Sequence, residues 1–341
     1  MIYFRVDSNS QIASGHVMRC ISLAQAFFDQ GFEVCFLTAD ANSDQMIDAA
    51  RFTHINLKSQ WDDLSKEVKN VREIVNNDSK SLLIIDTYAI TNEYVEALLP
   101  FTKVAYIGSI EKYLGPLQAI INYSTCIDYN FYYTFYDNST ELLLGASYAP
   151  LRKEFQNIQE HYSERVENIL LTTGNTDSQF LVPKILERLK TRELPAYITI
   201  NVVIGSMFSN KENLWQNYGE DSQVVLHENV KAMSELMTKC DLAIAANGTT
   251  VYELAACGVP TITFAMVKEQ ILSAEKFGEL GITDYCGRIF EQQEKCINKI
   301  ISKVIEYIED KYARWNLAHK AKESIDGNGC QKIVQALSYI I

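Results

Sequence analysis

The sequence has no basic excess: 31 Lys and Arg stand against 43 Asp and Glu over 341 residues, a formal charge of -12. A face shaped to a nucleic-acid backbone needs the opposite balance, so that class of partner is argued against. A small anion held by a few local donors is still allowed. Membrane-span apolar runs are missing, and no basic, apolar leader precedes the opening strand pattern "MIYFRV". There is no C-x-x-C pair among the eight cysteines and no zinc-type spacing among the five histidines. These absences predict a cytoplasmic protein without stable membrane insertion, with reduced and mostly buried thiols, and without metal or cofactor. The acidic surface fits a monomer or a weak homo-oligomer.

What is present is a repeating pattern. "IYFRV" precedes "HVMRCISLAQAFFDQG", "EVCFLT" precedes "SDQMIDAA", and "SLLIID" precedes "NEYVEALL". Short apolar strands alternating with helical periodicity imply a parallel sheet covered on both faces. An irregular aromatic segment, "YNFYYTFYDNST", and the polar passage "ASYAPLRKEFQNIQEHYSERVE" follow, and the pattern then restarts at "NILLTTG". The reading is two Rossmann-like domains facing one another across a cleft, residues 1–160 and 161–341, with a boundary near Glu160. The last helical stretch, through "GCQKIVQALSYII", is expected on the outside, with a return to the first domain left open. Ligands of such sheets bind beyond the carboxyl ends of the strands.

Four stretches at those strand ends carry candidate chemistry. "SGHVMRC" brings a Gly-containing turn to the start of a helix whose N–H groups suit an anion or polar reacting group. His16 at that start either faces the cleft or bonds its own turn. "LLIIDTYAI" ends a strand with Asp86, readable as a turn cap, and with Tyr88, either a donor to substrate or an ordinary half-buried tyrosine. "NILLTTGNTD" offers close backbone approach at Gly174 and Asn175. In "AANGTTVYELAACG", Asn247, Gly248, Thr249 and Thr250 open a helix able to hold a diphosphate. Glu253, one turn further on, either bonds ribose hydroxyls or caps that helix. None of these is a G-x-G-x-x-G fingerprint.

Taken in order, the stretches resemble the UDP-sugar hydrolase family of pseudaminic acid biosynthesis and its spore-coat polysaccharide relatives, of glycosyltransferase-B architecture. "FRVDSNSQIASGHVMRC" resembles that family's opening strand and Gly-His-x-x-Arg helix, and "LLIIDTYAI" its Ile-Asp-x-Tyr strand end. "INYS" resembles its Asn-x-Asn-Tyr region, "LLLGASYAPLRKEF" its Gly-x-x-Tyr-Ala-x-x-Arg-x-Glu-Phe segment, and the Asn-Gly-Thr-Thr helix its uridine diphosphate site. The resemblance implies metal-independent, inverting hydrolysis of a UDP-linked amino-deoxy sugar, with His16 activating water and Tyr88 orienting sugar or water. It places Asp7, Ser14, Gly15, Arg19, Gly174, Asn175, Asn247 to Thr250, Glu253, Glu269 and Gln270 against the substrate. Two positions depart from the family pattern: Glu269 stands where an Asn usually precedes Gln270, and Asn175 replaces the second residue of a Gly-Gly pair. Both fit a different sugar or a sugar acceptor in place of water. The alternatives are an inverting UDP-sugar glycosyltransferase, with Tyr129 to Asn138 as an acceptor ledge, and a non-enzymatic nucleotide-sugar binding protein.

Overall fold

A computed structural model describes all residues except 13, 77–79, 161 and 193. The chain forms two compact units, residues 1–153 with 328–341, and residues 154–327. The boundary lies at Lys153 and Glu154 rather than near Glu160. Adjacent side chains commit to different units there: Lys153 pairs with Asp29 at 2.7 Å, and Glu154 accepts the Ser234 N–H at 3.1 Å.

The first unit is a seven-stranded parallel sheet of β1 (Ile2–Val6), β2 (Val34–Thr38), β3 (Thr53–Asn56), β4 (Leu82–Asp86), β5 (Lys103–Ile107), β6 (Ala119–Asn122) and β7 (Glu141–Leu144). Its order is β3-β2-β1-β4-β5-β6-β7. β1 and β4 are buried along their whole length, as their mainly apolar runs fit strands covered on both faces, with the charged Arg5 and Asp86 near their carboxyl ends buried against ion partners. β3 alternates between exposed and half-buried, as an edge strand can. The helix α1 (Gly15–Asp29) buries Val17, Cys20, Leu23, Ala24 and Phe27, one stripe at helical spacing. The last helix, Gly329–Ser338, adds Cys330, Ile333, Val334 and Leu337 to the same core.

The second unit is a six-stranded parallel sheet of β8 (Asn168–Thr172), β9 (Thr199–Ile204), β10 (Val224–Glu228), β11 (Leu242–Ala246), β12 (Thr261–Ala265) and β13 (Asp284–Arg288), in the order β10-β9-β8-β11-β12-β13. The helix Gln293–Glu309 closes one face with Ile297, Ile300, Ile301 and Val304. In each sheet the chain winds outward to one side of its first strand and then returns to the other side. The strand order therefore reverses between β1 and β4, and again between β8 and β11, and crevices at such reversals are where open α/β sheets bind ligands.

The aromatic segment read as irregular contains a helix, Tyr129–Phe135, capped by the Asp128 carboxylate on the N–H groups of Asn130 and Phe131. Tyr132 turns inward and its hydroxyl accepts from Asn122 Nδ2 at 3.0 Å, while Tyr129, Tyr133 and Phe135 are exposed.

Candidate functional site

At the first reversal point, Val6 pairs with Asp86 in register, so the exit of β1 and the end of β4 lie side by side. Ser14 occupies the N-cap position of α1 without a side-chain cap bond. Gly15 is exposed, and a Cβ there would meet nothing within 4 Å. His16 and Arg19, one helical turn apart, both reach the buried Asp86 carboxylate. Asp86 Oδ1 lies 2.5 Å from His16 Nδ1, and Oδ2 accepts from Arg19 Nε at 2.6 Å and from the Cys20 thiol at 3.3 Å. Arg19 Nη2 also donates to Asp86 Oδ1, and Nη1 donates to the Tyr123 hydroxyl at 2.9 Å. The Tyr88 ring stands edge-on to His16 with centroids 4.9 Å apart, and is 61% exposed rather than half-buried.

This arrangement fixes the tautomer of His16. Nδ1 also lies 3.0 Å from Arg19 Nη2, which can only donate, whereas a carboxylate oxygen can only accept. A bare Nδ1 would present its lone pair to Asp86 Oδ1, so the proton sits on Nδ1 and is donated to Asp86. Nε2 is then the basic nitrogen. Burial disfavours the Asp86 charge, but the Arg19 charge and hydrogen bonds, followed by those of His16, hold its carboxyl below the usual carboxylate range. Asp86 is therefore ionised at neutral pH. It is a partner of the histidine, not a turn cap.

Two residues expected against the substrate are committed within the fold. Asp7 is buried, accepts the Ala39 N–H at 2.7 Å and pairs with Arg5. Arg5, fully buried, is also held by Glu67 at 2.6 and 3.0 Å. Arg19 is the second, with three of its five N–H donors on Asp86 and Tyr123.

In the second unit, the loop after β8 turns at Gly174, whose φ of +82° is a left-handed value that favours glycine. This loop sits directly on Gly205, where a Cβ would come within 2.3 Å of Gly174 O, and Asn175 O accepts the Met207 N–H at 3.0 Å. Asn175 itself is exposed. After β11, buried Asn247 donates from Nδ2 to Ser273 Oγ at 2.7 Å. Exposed Gly248 and Thr249 and half-buried Thr250 then open the helix Thr249–Ala256, with Glu253 half-buried on it. Gly248 is extended, and a Cβ there also meets nothing within 4 Å. Gln270 uses Oε1 to accept the Met266 N–H at 2.8 Å, while Gln179 Nε2 donates to Met266 O at 3.1 Å. The Met266 backbone thus ties the β8 and β12 exit loops together, with Glu269 exposed beside it.

The candidate residues accordingly gather into two sets, each at its own sheet's reversal point. Reasoning from the sequence missed the roles of Asp86, Tyr123, Gly205 and Gln179; only "LLIID" and "VVIG" carried a signal, a polar or glycine residue ending an apolar strand. Among the described residues, no group of three or more His, Cys, Asp or Glu side chains could hold a metal ion, and no helix is long and apolar enough to cross a membrane. The eight cysteines are free thiols, seven of them buried.

The family described as "Protein of unknown function (DUF354)" matches residues 164–325. The spore coat polysaccharide biosynthesis protein SpsG of Bacillus subtilis is 25% identical over 81% of this chain and 80% of its own length. The UDP-2,4-diacetamido-2,4,6-trideoxy-beta-L-altropyranose hydrolase of Campylobacter jejuni is 25% identical over 74% of this chain and 86% of its own. The uncharacterized protein MJ1062 of Methanocaldococcus jannaschii is 26% identical over 75% of this chain, which spans only 54% of that relative. Among solved structures, MurG of Acinetobacter baumannii superposes with a TM-score of 0.70 at 13% identity, covering 99% of both chains. The fold is of the glycosyltransferase-B type, and the relatives include both proteins whose motifs the sequence resembles.

Proposed function

We propose that this chain hydrolyses a UDP-linked amino-deoxy sugar to UDP and the free sugar, with inversion and without a metal ion, in nonulosonic acid or surface-glycan biosynthesis. The observation that carries the reading is the His16–Asp86 pair, which leaves Nε2 of an oriented imidazole as a base at a sheet reversal point. Water attacks the anomeric carbon and gives its proton to Nε2; the bond to the β-phosphate oxygen breaks, and UDP departs with the bonding pair. Asp86 stabilises the imidazolium that forms. Attack from the face opposite UDP inverts the centre. Tyr88 orients the sugar or the water.

The helix start at Gly248 to Thr250 stabilises the departing diphosphate through its N–H groups and dipole, Glu253 takes the ribose, and Gly174, Asn175, Glu269 and Gln270 line the phosphate and sugar. The reading requires both sets of residues to act on one substrate. The names of the Campylobacter and Bacillus relatives support the substrate class. The second reading, an inverting glycosyltransferase, is favoured by the exposed rings of Tyr129, Tyr133 and Phe135, which suit an acceptor.

The test is to incubate the protein with UDP-amino-deoxy sugars, without acceptor and with a chelator present, and to follow UDP release and the product anomer by NMR. Release with inversion is expected, and His16→Ala should lose at least about 10²-fold in rate with UDP affinity nearly unchanged. Full activity in His16→Ala would remove the base assignment. Binding without release would favour the transferase.

A further inference from the structure

We propose that Arg19 is a positioning residue for His16: by spanning both oxygens of Asp86 it takes up the carboxylate's charge, leaving Asp86 to orient the imidazole through Nδ1–H. The inference rests on the reading of His16 as the base. Its observation is the sharing of one buried carboxylate by a histidine and an arginine three residues apart on the first turn of α1. The guanidinium reaches both Asp86 oxygens and uses Nη1 on the Tyr123 hydroxyl, so its plane is fixed from two elements.

The charges around His16 support this. α1 contributes Arg19 and Cys20, the end of β4 Asp86 and Tyr88, the segment after β6 Tyr123, β5 Tyr106, and the last helix Cys330. Burial pushes the Cys20 and Cys330 thiols and the Tyr106 and Tyr123 hydroxyls up, so they are neutral near pH 7. Burial disfavours the Arg19 charge, but Asp86 more than offsets it and holds the guanidinium well above its ordinary value. Asp86 and Arg19 are thus the ionised pair facing the ring. Without the arginine, the carboxylate would face the imidazole alone and favour imidazolium, which cannot accept a proton from water.

The experiment is an NMR titration of the His16 ring in the full chain, without substrate, for the parent protein, Arg19→Gln and Arg19→Lys. The His16 midpoint should rise by about one pH unit in Arg19→Gln, and by less in Arg19→Lys, whose single ammonium keeps the charge but cannot span the carboxylate. The acid limb of UDP release should move the same way. A midpoint unmoved in both variants, with only a lower melting temperature, would overturn the proposal. If Arg19→Gln does not fold, an unmoved Arg19→Lys midpoint does so alone. Because the titration needs no turnover, a parent protein that releases no UDP would sink the hydrolase reading while leaving this test intact.

Discussion

Gly248 and Gly15 are glycines that the protein's own packing does not demand. Neither has a left-handed φ, both are exposed, and a methyl at either would enter open space. Gly248→Ala therefore should leave stability within about 0.5 kcal/mol, yet place a methyl where the diphosphate is proposed to approach. UDP affinity by calorimetry should fall about tenfold, near 1.4 kcal/mol; unchanged affinity would remove the diphosphate from this helix start. At this scale the sequence is legible where a residue type is locally odd, as with a histidine directly after Ser14 and Gly15. It is not legible where the partner is remote. Asp86 lies 70 residues from His16, so nothing near "LLIID" distinguishes a carboxylate that caps a turn from one that orients an imidazole. The partners of Asp7 and Arg19 are hidden in the same way, because their bonds to Arg5, Ala39 and Asp86 arise only once β1, β2 and β4 are side by side.

The elements themselves were legible wherever period and burial agree. β1, β4, β8 and β11 are mostly apolar and almost wholly buried, with polar residues only toward their ends, because both their faces are covered, and those runs stand out in the sequence. Tyr129–Phe135 looks irregular in the sequence, and its aromatic composition has weak helix propensity; a cap from Asp128 and an inward Tyr132 override that. The loops between elements depend on close approach that composition does not reveal. Gly205 is the example: its missing side chain lets the Gly174–Asn175 turn lie against the end of β9. Gly205→Ala should cost about 1–3 kcal/mol, since the clash is with backbone at 2.3 to 2.5 Å and not with a flexible tip. Denaturant unfolding of the variant would measure this, and parent-like stability would mean that the loop shifts freely and that the Met266 tie does not hold it.

At the scale of the molecule, chain order and compact unit part company in the last residues. The helix Gly329–Ser338 follows the whole second unit, yet Cys330, Ile333, Val334 and Leu337 complete the core beside α1, and Lys103 Nζ donates to Ile341 O at 3.3 Å. Ala149 O lies so close to Gly329 that a Cβ there would fall within 2.2 Å of it, so this helix is seated by backbone approach as well as by its apolar stripe. Burying Ile333, Val334 and Leu337 contributes about 5–9 kcal/mol in gross terms, an upper bound comparable with the whole stability of a domain. A chain ending at residue 327 should therefore lose the cooperative unfolding transition of the first unit, and with it the base proposed at His16. Its second unit keeps every residue of 154–327, so UDP binding should survive while UDP release is abolished. Calorimetry and a UDP titration on the same truncated protein separate the cases. If both transitions persist, the terminal helix only covers the first unit; if UDP binding disappears as well, the proposal that the second unit alone holds the diphosphate is wrong.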